Sequence, residues 1–162
     1  MCAICDGESY ESVALGLLEE IDDDGWAVVG VEAGRGHPSW AYTVGLSPSF
    51  DHPELVVVDL LPSYVGLILN TLAGDVSDGE ELDVGETIDL GDHAFVTSWV
   101  HPRHFDLGTF AFWTSAIEPA FVDRPRRAAL QIVPPPCLSE SGADPTRWLL
   151  NRPRRLLGSR AR

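Results

Sequence analysis

The sequence predicts an α+β fold, a mainly antiparallel sheet or small barrel with about three helices in the order α-βββ-α-ββ-α-β. Three observations carry this expectation. Apolar residues recur at helical spacing near the start of the chain. Three β-branched and aromatic runs then follow in quick succession, and Gly91-Asp92 sits between two further strand-like runs as a two-residue hairpin turn. The chain has too few alternating β and α units for a doubly wound parallel sheet.

The first helix is expected from about 9 to 22, because Tyr10, Val13, Ala14, Leu17, Leu18 and Ile21 fall on one face. Ser9 is its N-cap candidate and Gly25 its stop, while Asp22, Asp23 and Asp24 place anions at the negative end of the helix dipole. Runs 26–31 (WAVVGV), 40–46 (WAYTVGL) and 55–61 (LVVVDLL) read as strands, the last interrupted by Asp59. Pro62 suits a helix first turn, and the apolar residues from Tyr64 to Leu72 predict a largely buried helix ending near Gly74. The acidic 75–83 segment reads as a loop. Runs 86–90 and 93–100 form the hairpin, 109–121 is a second amphipathic stretch with Pro119 near its end, and 128–133 is a last strand before Pro134-Pro135-Pro136. The expected organisation is a single α+β domain over 1–133, followed by a Pro/Arg-rich basic extension over 134–162 that is mobile apart from a short helical turn around 148–150.

Composition excludes several functions. The 162-residue chain carries 25 acidic and 11 basic side chains, a formal net charge of −14 that argues against nucleic-acid binding. All basic residues are arginine, and they are sorted: residues 1–123 hold 23 acids against 2 arginines, whereas 124–162 hold 9 arginines against 2 acids. The sorting predicts that residues 147–162 fold back on an acidic face of this domain or of a neighbour. Apolar runs fall far short of the roughly 20 residues of a membrane-spanning helix. The acidic start of the chain lacks the pattern of a secretory signal, so a cytoplasmic location and no membrane partner are expected. Three cysteines are read as reduced thiols or metal ligands, not a disulfide framework.

Two clusters carry chemistry. Cys2 and Cys5 are spaced to grip one soft cation, and His101 and His104 repeat that spacing, so a Cys2His2 zinc site from Cys2, Cys5, His101 and His104 is one expectation. The alternative is that the cysteines are small hydrophobes and the histidines close a strand. The second cluster is the strand-loop-strand 42–55, with the hydroxyls of Tyr42 and Thr43, close backbone approach at Gly45 and a proton-exchanging group at His52. Arg35, in the Gly34-Arg35-Gly36-His37 loop, adds an anion-binding group. These residues predict a small-molecule or cofactor site, against a packed turn in which His52 caps a carbonyl. Hydrolase elbows, Walker and dinucleotide fingerprints and the zinc-protease helix are all missing, so nothing in the sequence decides whether the protein is an enzyme.

Taken together, Met1-Cys2-x-x-Cys5-Asp6-Gly7, Gly25-Trp26-Ala27-Val28, Ala41-Tyr42-Thr43-Val44-Gly45-Leu46, His52-Pro53-Glu54-Leu55-Val56-Val57 and Ala129-Leu130-Gln131-Ile132-Val133 resemble the bacterial domain-of-unknown-function family 4262. The resemblance covers about residues 1–133 and implies a single-domain bacterial protein with no established activity. A more distant likeness is to split-barrel flavin-binding proteins, in which a Thr-containing strand, a loop and a Pro-Leu-Val-type strand precede a helix, as Thr43, Pro53–Val58 and Pro62 do here. That likeness implies a flavin-dependent oxidoreductase as an alternative to the ligand-binding domain. A zinc-stabilised regulatory or interaction module, and an acidic body that meets a basic protein partner, are the remaining readings.

Overall fold

The computed structural model describes residues 7–123, 125–153 and 156. Helix α1 (Tyr10–Asp24) begins at Ser9, whose hydroxyl accepts the Ser12 N–H at 3.1 Å, and ends at Gly25, which adopts φ 91° and donates to the Ile21 carbonyl. The start and the stop fall where capping chemistry places them. Strands β1 (Ala27–Val31) and β2 (Trp40–Val44) pair antiparallel, the short helix α2 (Leu46–Phe50) follows, and β3 (Glu54–Val58) pairs antiparallel with β2. Helix α3 (Pro62–Ser77) runs one turn past Gly74. The hairpin of β4 (Thr87–Leu90) and β5 (His93–Trp99) then turns at Gly91-Asp92 as expected.

The 109–121 stretch is helical only from residue 111, where a π-helical turn at Trp113–Ile117 runs into α4 (Glu118–Ala120). Strand β6 (Ala129–Val133) closes the set, pairing parallel with β3 and antiparallel with β5. The result is one open six-stranded sheet of order β1-β2-β3-β6-β5-β4, mostly antiparallel with a single parallel pair. The sequence expectation left barrel and sheet open, and the structure is the sheet.

Alternation along the strands sorts the core into two layers. Val56 and Val58 of β3, with Trp40, Tyr42 and Val44 of β2, face α1 and the aromatic group Phe105, Phe110 and Trp113. Ala41, Leu55 and Val57 face α3. The segment beyond the proline triplet is not an appendage. Leu138 joins the α3 layer, and Leu150 and Leu156 are buried in the α1 layer. These leucines follow no helical or strand spacing: Leu138 ends a 3₁₀ turn at Pro136–Leu138, Leu150 follows another at Pro145–Trp148, and Leu156 comes six residues later. Where the basic part of the chain begins, Arg127 pairs with Glu118 at 2.8 Å and with Asp106 at 3.0 Å, and Arg126 reaches Asp51 at 3.6 Å. Half of the expected fold-back of 147–162, with Arg154, Arg155, Arg160 and Arg162, lies outside the described residues.

Candidate functional site: two ends of the central strands

One end of the β2–β3 pair is closed by Glu54. Its carboxylate has no exposed surface and accepts five hydrogen bonds: Thr43 Oγ1 at 2.8 Å, Gly45 N at 3.0 Å, Leu46 N at 3.2 Å, Ser47 N at 3.2 Å and Trp113 Nε1 at 3.0 Å. Burial pushes this carboxyl up, the hydrogen bonds from Thr43, Ser47, Trp113 and Gly45 pull it back, and it titrates at about 7. Gly45 is required on two counts. It adopts φ 111°, and a Cβ there would stand 2.7 Å from the Gly25 carbonyl oxygen.

The sequence-predicted ligand residues gather at this closed end or near it. Thr43 donates to Glu54 and accepts the Leu55 N–H at 2.9 Å, so its hydroxyl is fully engaged. Tyr42 is 1% exposed, its hydroxyl accepts the Phe112 N–H at 3.1 Å, and burial raises its pKa well above the phenol range. His52 is also buried. A carbonyl can only accept, so the Nδ1–H donates to Pro53 O at 2.8 Å and Nε2 accepts the Leu82 N–H at 3.2 Å, which fixes one neutral tautomer. His52 borders a cavity of about 510 Å³ with Arg126, Glu80, Glu81 and Asp83. Arg35 stands exposed on the 32–39 loop, which enters β2 at the end opposite to this group.

Cys2 and Cys5 lie outside the described residues. His101 caps the following 3₁₀ turn, its Nδ1 accepting the Arg103 N–H at 3.2 Å. His104 is fully buried: Nε2 donates to Arg152 O at 2.8 Å, Nδ1 bonds Thr109 Oγ1 at 3.1 Å, and burial lowers its pKa. As placed, neither His104 nitrogen is available to a metal. Among the described residues, no three His, Cys, Asp or Glu side chains are grouped to hold one.

The other end of the strands is open. Gly30, Ala41 and Val57 stand in register across β1, β2 and β3, so the α3 side of the sheet carries almost no side-chain bulk at its β1 edge. A cavity of about 480 Å³ results, walled by Leu60, Pro62 and Val65 and rimmed by Glu32, Ser39 and Glu140. It adjoins a second cavity of about 490 Å³ through Ala33 and Glu140. Gly34, Gly36, His37, Arg147 and Trp148 line that one. Arg147 lies over the Trp148 ring at 5.0 Å, and Trp148 Nε1 is a buried donor with no acceptor among the described residues.

The wall between the two cavities is pinned by Asp59. This residue is 1% exposed and adopts φ 59°, a left-handed conformation that costs a non-glycine residue about 1–2 kcal/mol. Its carboxylate accepts Ser139 Oγ at 2.6 Å, Ser141 N at 3.0 Å and Ser141 Oγ at 2.7 Å. Its backbone accepts the Glu140 N–H at 2.8 Å and donates to Ser39 O at 2.8 Å. The Ser39 hydroxyl in turn bonds a Glu140 carboxylate oxygen. Neither Glu54 nor Glu140 was singled out by sequence reasoning. Asp59 had a signal, a single charge inside an apolar run.

The matched pattern now has a structural meaning: the Tyr-Thr-Val-Gly-Leu and His-Pro-Glu-Leu segments build the Glu54 staple and the adjoining strands. A family model described as a domain of unknown function, DUF4262, matches residues 20–136. The chain belongs to the DUF4262 family. Comparison with curated proteins and with solved structures finds no match. The DUF4262 match contains β1, β2, β3 and α3, and it stops just before the 138–141 segment that completes the open cleft. No helix among the described residues is long and apolar enough to cross a membrane.

Proposed function

We propose that this DUF4262 domain binds a small, largely apolar molecule in the trough beside the N-terminus of α3. The observation that carries the reading is the register of Gly30, Ala41 and Val57, which leaves about 480 Å³ open over a sheet face that α3 otherwise covers. That volume lies within the range of small-molecule sites, and an apolar floor with a few fixed polar groups is their usual lining. Binding is preferred to catalysis because the trough offers surface and a carboxylate, while Tyr42, Thr43 and His52 spend their polar atoms on the protein itself.

Gly30 provides the test. A Cβ at this position meets nothing within 4 Å and the residue is exposed, so a larger side chain projects into the trough without a clash. Ligand-observed NMR with a mixed set of aromatic and aliphatic fragments, with a flavin included because the split-barrel likeness implies one, should find binders that Gly30→Leu loses. The variant should keep its melting temperature. Binding that survives Gly30→Leu, or no binding at all, sinks the proposal.

A further inference from the structure

We infer that the trough selects apolar amines, and that Glu140 is the residue that reads the ammonium group. The inference rests on the trough being the ligand site and adds the chemistry of the occupant. Both ionisable residues on its rim are glutamates. Glu140 has a position built by its neighbours. Its own N–H is held by the Asp59 carbonyl, and the residues on either side of it, Ser139 and Ser141, are tied to the Asp59 carboxylate. Four hydrogen bonds and a left-handed Asp59 thus fix the backbone from which the Glu140 side chain departs. Strained residues that persist through such over-determination concentrate at ligand clamps.

The Ser39 hydroxyl then restrains the carboxylate itself, and Ser39 lines the same cavity. An anionic group held at the edge of an apolar trough favours a ligand with the opposite arrangement, an apolar body that lies against Pro62 and Val65 and a cation that donates to Glu140. A charge-assisted hydrogen bond of this kind is roughly twice as strong as its neutral counterpart. A carboxylate on the same body is excluded by like charge. Ordering Glu140 in advance removes part of the conformational cost of binding, so selectivity does not depend on loop closure.

Three probes with one aromatic body separate the outcomes: 1-naphthylmethylamine, 1-naphthylmethanol and 1-naphthoate, titrated into the full chain by calorimetry at low salt. The amine should bind at least about tenfold more tightly than the alcohol, and the carboxylate most weakly. Glu140→Gln should bring the amine down to the alcohol while leaving the alcohol unchanged, because the amide keeps the Ser39 contact. Gly30→Leu should abolish all three. Equal affinity of amine and alcohol, both lost in Gly30→Leu, overturns the amine selectivity and leaves the trough as a neutral apolar site. Amine binding that Gly30→Leu does not affect overturns both readings at once. An amine preference that persists in Glu140→Gln overturns the assignment to Glu140.

Discussion

Glu54 opens a five-residue strand and Asp59 follows its last residue. Both are buried carboxylates with several donors, yet they do opposite things to the surface around them. Glu54 draws its donors inward, from β2, the first turn of α2 and Trp113, and the result is a sealed end with no exposed carboxylate surface. Asp59 draws its donors from a segment about 80 residues later, and the by-product of holding that segment is an exposed Glu140 beside an open trough. A buried acid is therefore not by itself a sign of a site. What its donors belong to decides whether it closes a core or positions something else.

The largest break in this comparison is at the sealed end. Glu54→Gln keeps the shape but points an NH₂ group at N–H donors, and it strands the Leu46 N–H in one amide orientation and Gly45, Ser47 and Trp113 in the other. A buried N–H left without an acceptor costs about 1–3 kcal/mol. Urea unfolding of Glu54→Gln should show that loss, and a cost within about 0.5 kcal/mol, typical of surface substitutions, would mean that the five hydrogen bonds do not act as a staple.

The next effect is titration of the same group. Its folded value of about 7 lies above the ordinary 4.5. The folded state therefore retains a proton that the unfolded state releases between those values. The associated stability is fully present below the unfolded value and is lost as pH rises through the folded one. Thr43 allows this, because a hydroxyl can turn from donor to acceptor when the carboxyl is protonated. A carboxyl-carbon NMR titration of the intact protein should give Glu54 a midpoint near neutrality, and a midpoint in the ordinary carboxylate range overturns the prediction.

Much of the frame was legible because its signals are local. Ser9 and Gly25 cap α1, Pro62 opens α3, and Gly91-Asp92 turns the hairpin, each through chemistry confined to a few residues. The motif segments 41–46 and 52–57 were also recognisable, but their purpose was not. Polar residues at a strand end look alike whether they face a ligand or a buried carboxylate 11 residues away. The Trp113 contact spans 59 residues and the Asp59 contacts 80 to 82, and no periodicity encodes such pairings. The parallel β3–β6 pair and the burial of Leu138, Leu150 and Leu156 were hidden for the same reason. The trough itself is built from the absence of side chains at Gly30 and Ala41. Only the strand register shows that these two small residues are neighbours.

The smaller effect is at the open end, where two substitutions of Asp59 separate its backbone from its carboxylate. Asp59→Ala loses the bonds to Ser139 and Ser141 and keeps the left-handed strain, whereas Asp59→Gly loses the same bonds and removes the strain. Each lost hydrogen bond to a charged group is worth about 1.5–3 kcal/mol at most, and the serines regain part of that from water because the segment borders an open cleft. The glycine variant should therefore be the more stable of the two by about 1 kcal/mol, the conformational cost of φ 59° for a side-chain-bearing residue. Both should release the 139–141 segment, seen as faster amide exchange at Glu140 and Ser141, and both should weaken amine binding more than alcohol binding. Equal stability of the alanine and glycine variants would show that Asp59 is not strained, while unchanged exchange at Glu140 would show that its carboxylate does not hold the wall of the cleft.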